Sequence, residues 1–215
     1  LVQGVKLIVR LAEEINEVTG GQIKFIDIGG GLPVKYRQSD AAFTMAEYAS
    51  KLHSEIPELF SGRYTIVTEF GRYIHANAGN AVSRVEYVKP GRERDIIINH
   101  LGADMFLRKS YNPQDWHHHI SVLNADGAEK SYSRMRKYHV AGPLCFSGDI
   151  IAYDVLLPEV CEGDYIVIHD AGAYTLSMWS RYNSRQMPKI IGYSSETNEI
   201  TILKSREPLS AAADF

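Results

Sequence analysis

Cysteine is scarce in this chain: Cys145 and Cys161 are its only two. They form neither a CxxC pair nor a zinc-ligand pattern, so neither a disulfide framework nor a cysteine-rich metal site organises the fold. Two reduced thiols in a cytoplasmic, reducing compartment are expected. Long hydrophobic runs are missing as well; each is broken well short of the ~20 residues that span a bilayer. No basic leader followed by an apolar stretch opens the chain. Nor does a methionine: Leu1-Val2-Gln3-Gly4 runs straight into a helical pattern, as expected of a piece of a longer protein. An excess of either charge is also lacking. With 23 Lys and Arg against 26 Asp and Glu, the net charge is -3, which points away from nucleic acid and from an anionic membrane as partners. There is no internal repeat and no low-complexity segment.

What is present suits a globular protein. The 215 residues are 45% hydrophobic and 23% charged, enough to bury a core without disulfides or metals. Val5, Ile8, Leu11, Ala12, Ile15 and Val18 recur at helical spacing and predict an amphipathic helix over 2–19, stopped by Gly20 and Gly21. A short strand follows at 23–28. Thr44 and Glu47 form a capping-box pattern ahead of a second helix over about 44–60, with Met45, Tyr48, Ala49, Leu52, Ile56 and Leu59 as its apolar face. Another strand covers 64–68. Helix, strand, helix, strand is the rhythm of a parallel α/β unit, the last turns of a barrel included. Near 72–80 the pattern changes to short β-type runs such as 82–88, 95–99, 105–111, 118–123, 150–153, 164–169 and 198–203. Turn signals at Pro90-Gly91, Asp126-Gly127 and Glu162-Gly163 separate them. An all-β, antiparallel region is expected there, with a frayed tail from Leu209 to Phe215.

Four segments carry chemical potential. Asp27-Ile28-Gly29-Gly30-Gly31 closes the first strand, and three glycines let backbone N–H groups approach a phosphate; a plain glycine loop is the bland alternative. Glu69-Phe70-Gly71-Arg72 closes the next strand, where an arginine fork suits phosphate or carboxylate and a surface ion pair is the commoner fate. Both lie at the C-terminal ends of consecutive strands, where barrels build phosphate sites. Gly142 to Asp149 fixes Cys145 on a turn, as a general acid, a nucleophile or a structural thiol. Asp170-Ala171-Gly172-Ala173-Tyr174, then Tyr182-Asn183-Ser184-Arg185, leaves Tyr174 either beside a ligand or packed on a turn. His117-His118-His119 looks like a metal site, but neighbours on a strand face opposite ways, so no metal is expected. Arg134, Arg136 and Lys137 read as a solvated face.

In this order the four segments resemble the fold-type III pyridoxal-phosphate-dependent decarboxylases, the diaminopimelate and ornithine decarboxylase family. The match covers nearly the whole chain: Asp-x-Gly-Gly-Gly at 27–31, Glu-x-Gly-Arg at 69–72, Gly-Pro-x-Cys-x-Ser-Gly-Asp at 142–149 and Asp-Ala-Gly-Ala-Tyr at 170–174. Tyr-Asn-Ser-Arg at 182–185 is typical of the diaminopimelate branch. The resemblance implies the end of an alanine-racemase-like (β/α)8 barrel over 1–75, then an antiparallel β-barrel or sandwich domain over 76–215. It implies an amino-acid substrate and a head-to-tail homodimer with shared active sites. Gly29, Gly30, Gly31, Glu69, Gly71 and Arg72 would hold the phosphate of pyridoxal 5'-phosphate, Arg72 also facing the substrate. Tyr174 would contact cofactor and substrate, Tyr111 the substrate, and Cys145 would reprotonate the substrate carbon in the partner's site.

Departures from the family's pattern accompany these matches. Phe70 stands where proline is usual. The family's cofactor-linking lysine lies early in the barrel, and Lys6, Lys24, Lys35 and Lys51 do not match its context, so the fragment alone is expected to be inactive. The family places a carboxylate directly after the cysteine to meet the substrate's distal ammonium; this chain has Phe146, a loss of about 2–5 kcal/mol in a closed site. The arginine expected four residues before Tyr111 is replaced by Leu107, with Arg108 one place off. Altered recognition of the substrate's distal end is therefore expected. A racemase on the same cofactor and a non-catalytic homologue acting through a partner are the competing readings.

Overall fold

In a computed structural model, residues 1–41 and 43–212 are described. They fall into two compact units, Leu1–Asn80 with Asp170–Ala173, and Ala81–His169 with Tyr174 onward.

The first unit opens with helix α1 (Val2–Thr19), ended by Gly20 in the left-handed conformation, φ 72°. Glycine takes that conformation without a Cβ penalty. Only Val5, Val9 and Ala12 of α1 are buried. The expected stripe is thus rotated: Ile8, Leu11 and Val18 are exposed. Strand β1 (Phe25–Asp27) precedes α2 (Met45–Glu55), whose capping box is complete. Thr44 Oγ1 accepts the Glu47 N–H at 3.2 Å and Glu47 Oε2 accepts the Thr44 N–H at 2.6 Å. The second helix stops at Glu55, short of the expected 60, because Pro57 lacks an N–H and disfavours helix at the residue before it; a 3₁₀ turn takes over at Pro57–Phe60. Strand β2 (Thr65–Val67) pairs with β1 in parallel, Ile26 opposite Ile66. Ile26, Leu32, Tyr48, Leu52, Ile56, Leu59, Tyr64 and Phe70 join the buried face of α1 in one core. Each such side chain contributes about 1.5–3 kcal/mol on burial. A short helix, α3 (Gly71–His75), leads out.

The second unit holds β3 (Ala81–Lys89), β4 (Asp95–Asn99), helix α4 (Leu107–Tyr111), β5 (Ile120–Leu123), β6 (Met135–Ala141), β7 (Ile150–Pro158), β8 (Tyr165–Ile168), β9 (Ile190–Tyr193) and β10 (Ile200–Lys204). Six strands form one sheet in the order β5-β8-β3-β4-β6-β7. Its edge strands β5 and β7 approach each other, so the sheet is nearly closed. The last two strands form a separate hairpin. Alternate residues such as Ile97, Val122, Tyr138, Val140, Ile166 and Ile168 fill the interior.

Three expectations need correction, and one is met. The sheet is mixed, because β4 and β6 run parallel; the long connection over 100–134, with α4 and β5 within it, supplies the crossover that parallel pairing requires. Residues 105–111 are not a strand. The apolar run there is only three residues, and the chain turns at Gly102, whose carbonyl accepts the N–H of both Met105 and Phe106, into α4. The solvated face expected at Arg134, Arg136 and Lys137 is present, all three being exposed at and just before the start of β6, where Arg136 pairs with the buried Asp95 at 2.9 Å. The frayed tail includes a 3₁₀ turn at Leu209–Ala212, where Arg181 Nη1 donates to the Ala211 carbonyl at 3.2 Å; residues 213–215 lie outside the described residues. Among the described residues no helix is long and apolar enough to cross a membrane.

Candidate functional site

The glycine loop begins with an Asx turn: Asp27 Oδ1 accepts the Gly29 N–H at 2.7 Å. The Gly29 carbonyl then accepts the Glu69 N–H at 2.9 Å, and the Glu69 carbonyl accepts the Gly71 N–H at 2.9 Å. The two expected phosphate loops are thereby stitched side by side. Gly30 is where they touch: a Cβ there would lie 2.5 Å from the Glu69 carbonyl oxygen, closer than any side chain tolerates. Gly29 and Gly31 have φ of 70° and 86°. A Cβ on Gly71, by contrast, meets nothing within 4 Å. Among the described residues the Gly30 and Gly31 N–H groups have no acceptor, and Arg72 Nε is buried with no partner.

Unspent donors beside a cradle without side chains fit an anion such as phosphate. A carboxylate offers only acceptors, so Glu69 serves such a cradle through its main chain, not its side chain.

In the second unit the Cys145 loop is built around Asp149, which is 3% exposed. One carboxylate oxygen accepts the Ala103 N–H and the other the Leu144 N–H, each at 2.6 Å. Gly102 and Gly142 are required on either side, because a Cβ on either would fall within 2.5 Å of this carboxylate. Burial pushes the Asp149 carboxyl up from its ordinary value, and the two amide donors only partly offset that. The loop so templated turns Cys145 and Phe146 to the surface, both exposed. The Cys145 N–H donates to Asn183 Oδ1 at 3.0 Å, and Asn183 holds φ 55°. Arg185, two residues on, donates through Nε to Asp104 at 2.8 Å and through Nη2 to the His100 carbonyl at 2.6 Å. Segments 142–149 and 182–185, separate in sequence, are thus one structure. Phe146 lies beside Tyr182, ring centroids 6.1 Å apart.

A second cluster forms around Tyr174, which has φ 58°. A tyrosine in that region is held by its surroundings at a cost of about 1–3 kcal/mol. The Arg108 guanidinium stacks on its ring at 3.7 Å and lies 4.7 Å from the Trp116 ring centroid. Arg108 Nε is buried without a partner. Tyr111 ends α4 and is exposed. On a helix Leu107 and Arg108 point about 100° apart, so the packing on Tyr174 selects Arg108. Sequence reasoning set Arg108 aside, named Asn183 only within its motif and without a role, and missed Trp116; the left-handed conformation of Asn183 and the aromatic pairing of Trp116 have no periodic signature. Of the three histidines, His118 is buried with Nδ1 at 3.0 Å from the His169 carbonyl, and His119 is exposed.

Residues 26–172 match a family model described as the C-terminal sheet domain of pyridoxal-dependent decarboxylases. A diaminopimelate decarboxylase of Methanothermobacter thermautotrophicus is 33% identical over 210 residues, 96% of this chain and 47% of that protein. A crystal structure of an Aquifex aeolicus protein superposes with a TM-score of 0.87 at 28% identity, covering 99% of this chain and 50% of that one. Diaminopimelate decarboxylase from Helicobacter pylori, crystallised with L-lysine, gives 0.82 at 29% identity over 98% of this chain and 49% of that one. The chain spans about half the length of the curated relatives it matches.

Proposed function

The chain belongs to the pyridoxal-dependent decarboxylases, and from that premise we propose that it is the C-terminal half of an amino-acid decarboxylase with altered recognition of the substrate's distal end. The observation that carries the cofactor assignment is the glycine cradle, with Gly30 against the Glu69 carbonyl and the unpartnered Nε of Arg72 beside it. Gly30, Gly31 and Arg72 would hold the phosphate of pyridoxal 5'-phosphate, with Gly29 and Glu69 setting the loop geometry and Gly71 leaving room. When bound, this cofactor supplies an electron sink for the pair left as carbon dioxide departs. The first unit is read as the end of the cofactor-binding barrel, which its parallel β1–β2 pair supports.

The chain's own residues do the rest. Cys145, on a loop fixed by Asp149 and Asn183, carries a proton on Sγ for the substrate carbon. Its exposure on its own unit agrees with a donor that works in a neighbouring subunit of a homodimer. Tyr174, clamped by Arg108, is set against cofactor and substrate, and Tyr111 stands at the end of the same helix. Arg108, one place from Leu107, is held on the Tyr174 ring, so both distal-group contacts are read as altered. Phe146 remains neutral and aromatic beside Tyr182, which favours a substrate whose distal end is uncharged or bulky over one with a distal ammonium.

Carbon dioxide release by the full-length protein with pyridoxal 5'-phosphate tests this. Norleucine is expected to turn over at least about tenfold faster than meso-diaminopimelate, and Cys145→Ala to slow release from both. Efficient turnover of diaminopimelate would refute the altered specificity. Absence of turnover on any amino acid, with no cofactor bound, would favour the non-catalytic homologue.

A further inference from the structure

A cleft of about 520 Å³ opens in the second unit; its lining includes Arg185, from the segment bonded to the Cys145 loop, but no residue of 142–149 and none of Arg108, Trp116 and Tyr174. Its volume lies within the range of small-molecule sites. Its lining includes four cationic or potentially cationic residues, Arg84, His100, Arg185 and Arg206, and one carboxylate, Asp104. That carboxylate pairs through Oδ2 with Arg185 at 2.8 Å, while its buried Oδ1 has no partner among the described residues. The His100 ring is matched by Glu86 at 2.9 Å. Arg84, on β3, and Arg206, past β10, have no carboxylate within ion-pair distance among the described residues, though the Arg84 charge also acts on Glu86. Two guanidinium charges are therefore left facing one hollow in a chain whose net charge is -3. The wall offers a further unspent donor, the buried indole N–H of Trp179. The lining also includes the apolar Val82, Leu101, Met105 and Pro188.

We propose that this cleft binds a small organic dicarboxylate. A guanidinium fork matches a carboxylate in two parallel hydrogen bonds. Two forks carried by different elements call for two charged ends, not one compact ion. The apolar part of the lining suits a short carbon frame. A single inorganic phosphate would satisfy the charge but leave that part uncovered.

Calorimetric titration of the full-length protein with glutarate, inorganic phosphate and butyrate tests the assignment. Saturable glutarate binding is expected, with phosphate and butyrate each weaker by about tenfold, the value of one lost charge-assisted contact. Arg84→Ala and Arg206→Ala should each weaken glutarate by about the same factor, while Lys89→Ala, an exposed cation outside the lining, leaves it unchanged. Thermal unfolding of each variant within a degree or so of the parent shows that the fold is kept. Glutarate binding that survives both arginine substitutions would overturn the proposal. So would phosphate binding as tight as glutarate, or no saturable glutarate binding at all.

Discussion

Two glycines of the cradle make different demands, although the sequence treats them alike. Gly30 is a steric necessity of the protein itself, since a Cβ would strike the Glu69 carbonyl. Gly71 faces open space, so any need for it comes from a ligand. Gly30→Ala is expected to destabilise the full-length protein by about 1–3 kcal/mol, the usual cost of overpacking, and to weaken cofactor binding with it. Gly71→Ala should leave stability unchanged. Urea unfolding of the two variants separates them; equal losses would contradict the close approach at Gly30. At this scale the family motifs single out Asp27 to Gly31, Arg72, Cys145, Asp149 and Tyr174 as candidates, Tyr174 through the resemblance and not through spacing. Asn183 stands in one of these motifs with no role attached, and Trp116 stands in none. Their roles rest on contacts to Cys145 and Arg108, 38 and 8 residues away in sequence, which no local pattern encodes.

At the scale of elements, the loop between β6 and β7 is held by a buried carboxylate where apolar packing would be usual. Asp149→Asn keeps the shape but turns one of the two amide-facing acceptors into a donor. A loss of about 1–3 kcal/mol at neutral pH is expected. The pH dependence is a second signature. Because burial raises the Asp149 carboxyl in the folded state, the folded protein binds a proton that the unfolded chain has already released. Stability from this group is therefore full below the ordinary carboxyl range and is lost as pH rises through the raised value. Unfolding free energy measured across that window should fall more steeply in the parent than in Asp149→Asn; identical slopes would contradict the assignment. Elements with strong periodicity or caps were readable, as α1, α2 and β4 show. Helix α4 was not, because its three-residue apolar run fits strand and helix equally and a turn at Gly102 decides it. The buried face of α1 was also misread: its apolar residues exceed one stripe, and packing against α2 and the shared core selects Val5, Val9 and Ala12.

For the whole molecule, the sequence change near 72–80 and the structural division after Asn80 describe a chain of two characters, one α/β and one β. The return of Asp170–Ala173 to the first unit could not be read from composition, because it is a long-range association of a short loop: the Ala171 N–H donates to the Gly79 carbonyl at 2.7 Å. The parallel course of β4 and β6 was hidden for the same reason. Strand pairing order is a property of the folded sheet, and the charged first half of β6 masks its apolar alternation.

The claim on which the functional reading turns is that Gly30, Gly31 and Arg72 hold the cofactor's phosphate. It is tested most directly by titrating the full-length protein with pyridoxal 5'-phosphate, as parent and as Arg72→Ala, and following bound cofactor by its visible absorbance. The parent should bind, and loss of the guanidinium should weaken binding by about tenfold or more, with the effect much reduced for pyridoxal lacking the phosphate. Equal affinity of parent and variant for the phosphorylated cofactor would contradict it.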